Sequence, residues 1–375
     1  MSEESKVATP QWLGLLKWSL AYVDGTRSSS EIEPLSAEDK AFLEKVMTDG
    51  IIDPGKRMKE LLLQLTESLQ RLCSCDVTKQ EDEDEEPEMS IINLMVELQD
   101  IVEQIDYAND FVKINGLPFL CGCTCDNGIS VTIRKQCLRI LATLAQNNPP
   151  VQQAMLDYGA LEKLCNLYAQ IMEEDESGTF RTLLIQALSC MVRSHVVGEE
   201  IFCRVGRELI IHQAIGLTNV DSPRNVRRKM LFLVRALLTS DYSSRQRVQD
   251  FSAVIRHTIV SFLDQEEDWE LREETLGLLL QILQQKHCVD EVWKERDIIL
   301  NWLVPRINTL RAHPSEEYCT IEELELSESL LSELSKDLSN HNVAISASDD
   351  TPVQNSPIMM LEGTPYVASE VHLSQ

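Results

Sequence analysis

LATLAQNNPPVQQAMLDYGALEKLCNL, residues 141–167, is interrupted twice. An apolar run ends at Gln146, Asn147, Asn148 and two prolines. A second run is broken at Gly159. That glycine belongs to a series. Gly116 in INGLPFL, Gly159 in DYGALEKL and Gly206 in RVGRELII align with Ser252 in DFSAVIRHTI and Asp297 in KERDIILNWL, in steps of 43, 47, 46 and 45. A period of about 40–47 residues in a helical chain is the signature of armadillo or HEAT repeats. On this reading the glycine makes the sharp turn between one repeat's last helix and the next helix, where a missing Cβ removes the penalty.

The long helical segments repeat independently. TIRKQCLRILATLAQ, TFRTLLIQALSCMVRS, NVRRKMLFLVRALLTS and WELREETLGLLLQILQQ superpose without gaps and align Arg134, Arg181, Arg227 and Arg272. Leu141, Leu188, Val234 and Leu279 form one column. Leu144, Met191, Leu237 and Ile282 form another, three residues on, so both columns face one stacked core. Repeats of this kind bury a core only against their neighbours, and the last helix of each lines a concave face.

Composition agrees. The 375 residues are 43% hydrophobic but only 5% aromatic, with 14 glycines, which suits a helical core of Leu, Ile, Val, Met and Cys. The net charge of −27 disfavours nucleic acid and anionic membrane surfaces as partners, because phosphate contacts need clustered cations. No apolar run reaches the ~18 residues of a membrane span. MSEESKVATPQW lacks the apolar core of a secretory signal. The expected compartment is the cytoplasm, with the nucleus as a second possibility, and the eleven cysteines are expected to be reduced thiols.

The expected fold is all-α: an armadillo/HEAT-like right-handed solenoid with a helical N-terminal segment, a disordered acidic linker and a disordered C-terminal tail. Residues 1–79 form the N-terminal helical or flexible segment. It includes WLGLLKWSLAYV and the amphipathic LSAEDKAFLEKVMTDG, N-capped by Ser36. Residues 80–90 are the acidic linker, 91–338 the repeats and 339–375 the tail, rich in Ser, Pro and Asp.

Catalytic patterns are absent: no G-x-x-x-x-G-K-[ST], G-x-G-x-x-G, H-E-x-x-H or G-x-S-x-G occurs. No enzyme, cofactor or metal is expected. Cys121, Cys123 and Cys125 in CGCTC read either as thiols at a helix end or as a soft-metal or redox group. The inner helices are locally basic, as in RNVRRKMLFLVR. Their arginine column either braces adjacent repeats or meets an acidic partner, whose charge would set orientation and on-rate. Extended-peptide binders of this fold use Trp and Asn ladders there. The columns here read Arg139, Gln186, Phe232, Gly277 and Thr143, Cys190, Ala236, Gln281, so a folded partner is expected.

An ordered series of stretches resembles the armadillo-type nucleotide-exchange factors of the heat-shock protein 70 (DnaK-type) chaperones, the Hsp-binding-protein group. The series is LLKWSLAYVDG, LSAEDKAFLEKVM with MKELLLQL, VELQDIVEQIDYANDFVKINGLPFL, ATLAQNNPPVQQAMLDYGALEKL, LSCMVR and EEYCTIEELELSESLLSEL. It spans roughly residues 12–335. The resemblance implies a monomeric co-chaperone whose concave face embraces the chaperone's nucleotide-binding domain, speeds ADP release and so promotes client release. The partner-binding residues it implies are Lys135, Arg139, Arg181, Gln186, Arg228, Lys229 and Phe232. Its N-terminal segment would assist client release through Trp12, Leu15, Leu16 and Trp18, residues that could instead fold onto the repeats. The family's basic positions match at Arg134, Arg181 and Lys229, whereas Leu183 stands where relatives can carry Lys. Relatives in the endoplasmic reticulum have export signals, and no such signal or retention motif is read here. The alternative is a passive armadillo scaffold that binds without exchanging nucleotide.

Overall fold

The computed structural model describes residues 53–74, 85–171, 175–218, 222–264, 268–285, 290–312 and 318–336, together with positions 37, 40 and 41. Trp12, Leu15, Leu16 and Trp18, most of the helix expected at 36–50, and the tail 339–375 lie outside them. Among the described residues the regular structure is entirely helical.

Two helices, α1 (Pro54–Ser74) and α2 (Glu85–Val102), lead into the repeats. The first repeat is α3 (Ile105–Lys113), α4 (Gly116–Cys125) and α5 (Val131–Ala145). The second is α6 (Pro149–Asp157), α7 (Ala160–Gln170) and α8 (Thr179–Val192). The third opens with α9 (Val196–Gly206), which runs through a π-helical turn (Arg207–Ile211) into His212–Ala214, and closes with α10 (Arg224–Leu238). Next come α11 (Arg245–Asp250), α12 (Ser252–Phe262) and α13 (Trp269–Gln284). The last repeat is α14 (Asp290–Trp293), α15 (Arg296–Ala312) and α16 (Tyr318–Leu334).

The helix starts follow from local chemistry. Ser130, Ser244 and Asp268 cap α5, α11 and α13, each accepting from the backbone N–H three residues on. Pro149 opens α6, where its missing N–H costs nothing.

The third helices stack in one ladder, α2–α5–α8–α10–α13–α16. The two apolar columns lie on its buried side: Leu141, Leu188, Val234 and Leu279, then Leu144, Met191, Leu237 and Ile282, are all fully buried. Each such side chain is stabilised by about 1.5–3 kcal/mol on leaving water. Phe111, Tyr168, Phe202 and Phe251 fill the space behind.

Two boundaries differ from the sequence reading. Helix α2 begins at Glu85, inside the span assigned to the linker. Helix α1, assigned to a separate N-terminal segment, packs on α2 and α3 through Met58, Leu61 and Leu65, all fully buried. An amphipathic helix with that much apolar surface is covered by the array rather than left in water.

The glycine series also has a different meaning. Gly159 does turn the chain, with φ 73, but between α6 and α7, inside a repeat. At the corresponding turn before α4 the left-handed residue is Asn115, φ 63, and Gly206 is helical. Gly116 and Gly206 are set by closeness instead. A Cβ on Gly116 would lie 2.2 Å from the Phe111 ring, and one on Gly206 2.7 Å from the Phe202 ring. The period is real; the backbone reason for it holds at one position.

Arginines from one repeat reach acids of an adjacent one. Arg247 Nη1 donates to Glu199 Oε2 at 2.7 Å, and Ser240 donates to the same oxygen at 2.7 Å. Arg272 in α13 donates twice to the Glu323 carboxylate in α16, at 3.1 and 2.8 Å, and Arg306 in α15 joins it at 2.7 and 2.9 Å. Burial alone would raise Glu323, but the arginine hydrogen bonds outweigh it and hold the carboxyl below its ordinary 4.5. Removing one partner of a buried pair strands the other charge. Arg272→Ala is therefore expected to lower stability by about 3 kcal/mol in urea unfolding, at the low end of the usual cost because Arg306 remains. A depressed carboxyl adds stability that is present above pH ~4.5 and fades as pH falls through its folded value, so the variant and parent should converge in acid.

Candidate functional site on the inner-helix face

The outward side of the ladder changes character along its length. At the α2–α5 end, polar side chains bond one another across helices. Gln136 Nε2 donates to Gln99 Oε1 at 2.8 Å, Gln99 Nε2 to Thr143 Oγ1 at 3.1 Å, and Arg139 Nη1 to Gln136 Oε1 at 3.1 Å. Arg139 is exposed there, and Lys135 is half-buried one turn earlier. Gln186 is half-buried on α8.

Three of the four arginines of the column are committed inside the array. Arg134 is 3% exposed, donates to the Thr124 carbonyl at 2.9 Å and lies over the Phe180 ring of α8, 4.9 Å from its centroid. Arg181 is 4% exposed; its guanidinium donates to the Asp175 carbonyl at 2.8 Å and sits 3.5 Å from the Asp175 carboxylate. It was expected to touch a partner and is instead spent inside its own repeat, because a guanidinium this deep needs a local counter-charge. Arg272 is bound to Glu323 as described, and Arg227 is half-buried. Bracing is the reading that holds at Arg134, Arg181 and Arg272.

On α10 the surface is basic and aromatic. Phe232 is 37% exposed, with Arg193 stacked 5.0 Å and Lys229 placed 5.9 Å from its ring centroid. A cation over a ring face gains about 0.5–1 kcal/mol at exposed sites, so the cluster is held in place. Lys229 and Phe232 were read from the sequence. Arg193 was not, because it lies beyond the last aligned apolar position, at the C-cap of α8. Arg228 was expected as a free contact, but it is ion-paired with Asp268 at 2.7 Å and with Glu270. Lys135, Arg139, Arg193 and Lys229 make no ion pair among the described residues.

Beyond α10 the face turns acidic, which the basic inner helices did not lead one to expect. A pocket of about 520 Å³ opens at the change of sign. Lys229, Phe232 and Arg235 of α10 form one wall; Glu273, Glu274 and Gly277 of α13 and Glu322 of α16 form the others. Arg235 crosses α13 to reach Glu274 Oε2 at 3.0 Å and Gln281 Oε1 at 3.1 Å. Gly277 permits this, since a Cβ there would sit 2.8 Å from Arg235 Nη1. Burial, followed by the charges of Glu322 and Glu323, pushes Glu273 up to about 7. These acids were visible in WELREETLGL, but basic residues on the neighbouring helix drew the reading.

The thiols read as packing. Cys121 is pushed up to about 12 by burial and Cys125 is raised for the same reason; Cys123 is lowered by a hydrogen bond with Cys137, but both of those thiols are buried, away from any approaching substrate. No group of three metal-ligating side chains occurs among the described residues, and no described helix is long and apolar enough to cross a membrane.

The fold and its ladder define an armadillo-repeat protein. A designed armadillo repeat protein in complex with the peptide (KR)4 superposes with a TM-score of 0.50 at 13% identity, covering 76% of this chain and all of that one. No family model matches the chain. Hsp70-binding protein 1 of Homo sapiens is 25% identical over 309 residues, 80% of this chain and 78% of its own. The Mus musculus protein of the same name is 25% identical over 287 residues, 69% of this chain and 76% of its own. These relatives bear out the resemblance to the Hsp-binding-protein group.

Glu273 supplies a test of the acidic end. Its folded value lies above the unfolded one, so ionising it costs stability in full above pH 7 and not at all below pH ~4.5. Glu273→Gln is expected to melt higher than the parent at pH 8 and level with it at pH 4.5, read by thermal unfolding monitored by circular dichroism.

Proposed function

We propose that this protein is a cytoplasmic co-chaperone. Its inner-helix face binds the nucleotide-binding domain of a heat-shock protein 70 chaperone and accelerates release of ADP, so that ATP rebinds and the client leaves. The kinship with Hsp70-binding protein 1 supports the partner. The observation that carries the contact is the cluster of Arg193, Phe232 and Lys229: an exposed aromatic ring with two cations against it on the face where armadillo arrays bind. Aromatic and arginine side chains of this kind dominate interface energies.

The reaction is a shift of equilibrium, not a bond change. A factor that binds the open nucleotide cleft more tightly than the closed one favours opening by that difference in affinity. By reciprocity ADP weakens the factor, so the ternary complex resolves by losing nucleotide. A stiff array suits the task, because a partner lobe held on a deformable face would move the face rather than the cleft. The N-terminal residues Trp12, Leu15, Leu16 and Trp18 assist by competing for the chaperone's client site.

Catalytic amounts of the full chain are expected to speed release of labelled ADP from a cytosolic heat-shock protein 70 chaperone. Arg193→Glu/Lys229→Glu should lower affinity about tenfold or more with the helical spectrum unchanged, since both side chains lie outside the core. Binding with an unchanged ADP off-rate would leave a passive scaffold and overturn exchange. Unaltered affinity of the double variant would move the contact elsewhere.

A further inference from the structure

The ladder carries two opposite charge zones, and the boundary between them is a pocket rather than a seam. On its α10 side the cations are largely committed. Arg228 is shared between Asp268 and Glu270, Arg235 is bound to Glu274, and Lys229 lies against Phe232. On the α13–α16 side the account does not close. Glu273 Oε1 is buried and has no hydrogen-bond partner among the described residues. Arg272, the cation on its own helix, is held by Glu323, which also takes both hydrogen bonds from Arg306. Glu322 lines the same wall and is exposed. A buried carboxylate oxygen without a donor is costly, and a cation entering the pocket would supply the donor.

We propose that the inner face is a bipolar dock: it receives a partner surface that is acidic opposite α5, α8 and α10, and that seats one lysine or arginine in the pocket between α10, α13 and α16. This rests on the proposed chaperone contact and adds the polarity of the partner and the direction in which it lies along the ladder. A uniformly acidic partner would meet Glu273, Glu274 and Glu322 head-on, and like charges brought together at an interface are penalised. A metal ion does not suit the site, since the described residues hold no group of three ligands there. An arginine or lysine head does: it is monovalent, long enough to reach down a pocket of about 520 Å³, and brings several N–H donors.

Seating the cation is coupled to a proton. Glu273 is raised by burial and by Glu322 and Glu323 of α16, with Glu270 adding and Arg272 opposing from its own helix. Arg228, Lys229 and Arg235 of α10 line the facing wall. With a value of about 7, Glu273 is about half protonated at neutral pH. An arriving positive charge favours the ionised form, so docking near pH 7 releases up to about half a proton.

The experiment compares the full chain with Glu273→Gln/Glu322→Gln against a full-length heat-shock protein 70 chaperone. Calorimetry is run at pH 7 in two buffers of different ionisation enthalpy. The double variant is expected to bind about fivefold more weakly and to lose the proton release, while folding at least as well as the parent, because it removes repulsion. Tighter binding would mean a uniformly acidic partner and overturns the proposal, as does unchanged affinity with no proton released by the parent. A second arm does not depend on the chaperone. Acetyl-arginine amide is titrated into the full chain with the Glu273 carboxyl followed by carbon NMR. Its value should fall from about 7 as the probe saturates, and a value that does not move overturns the pocket's assignment. Failure of the parent to bind the chaperone, with a positive probe titration, would remove the functional reading and leave the pocket.

Discussion

A guanidinium buried near the start of an inner helix is the interaction on which the array depends. Apolar side chains make neighbouring helices stick, but a leucine slipped by one turn still meets leucine. A buried arginine has no such latitude. Arg134 must find the Thr124 carbonyl and the Phe180 ring, Arg181 the Asp175 backbone and carboxylate, and Arg272 the Glu323 carboxylate. Removing water from a charge costs several kcal/mol unless the partner is in place, so each contact rejects the wrong register more strongly than it rewards the right one. Two of the three reach the adjoining repeat: Arg134 to Phe180 and Arg272 to Glu323. They fix how one repeat sits on the next.

The same need for partners sorts the surface. The chain carries a net charge of −27, so an arginine near the inner face generally has an acid within reach. From α10 onward that is what happens: Arg228, Arg235 and Arg272 each take an acid from the following inner helix. On α5 cations stay free because the next inner helix offers no acid, whereas Lys229 on α10 has no ion pair among the described residues although α13 carries acids. Helix α8, TFRTLLIQALSCMV, contains none, and Lys135 and Arg139 on α5 remain available. The basic zone is thus a product of which helices lack acids as much as of which carry arginine.

The stacking was legible because it is a property of spacing. Every residue of the two aligned apolar columns is fully buried, and the 43–47 residue period describes real helical repeat units. What spacing could not carry was the reason for a residue or the depth of a charge. Gly116, Gly159 and Gly206 align, yet one is required by its φ and two by aromatic rings that would lie well inside van der Waals contact of an added Cβ. Arg181 and Lys229 look alike as inner-helix cations. Only the placement of Asp175, across a turn, shows that the first is buried and committed. Arg272 and Glu323 are 51 residues apart, and no periodicity pairs them. Arg193 lies inside the aligned stretch TFRTLLIQALSCMVRS but outside its repeating arginine and apolar columns, at the C-cap of α8, so spacing assigns it no role.

These pairings bear on how an array could act on another protein. Repeat stacks flex because each unit contacts only its neighbours. Here the outer turns add Arg245 to Asp290 and Arg256 to Glu295, at 2.5 Å for the latter, outside the ladder itself. Exposed pairs contribute little singly, typically below about 1 kcal/mol. Bending the array toward or away from the inner face, however, would have to lengthen one set of contacts or the other. Ties on both sides of the core therefore oppose bending in either direction at the junction of the fourth and fifth repeats. A face that resists bending would change a bound partner more than it is changed by it, and that is the property the proposed nucleotide exchange requires of the array.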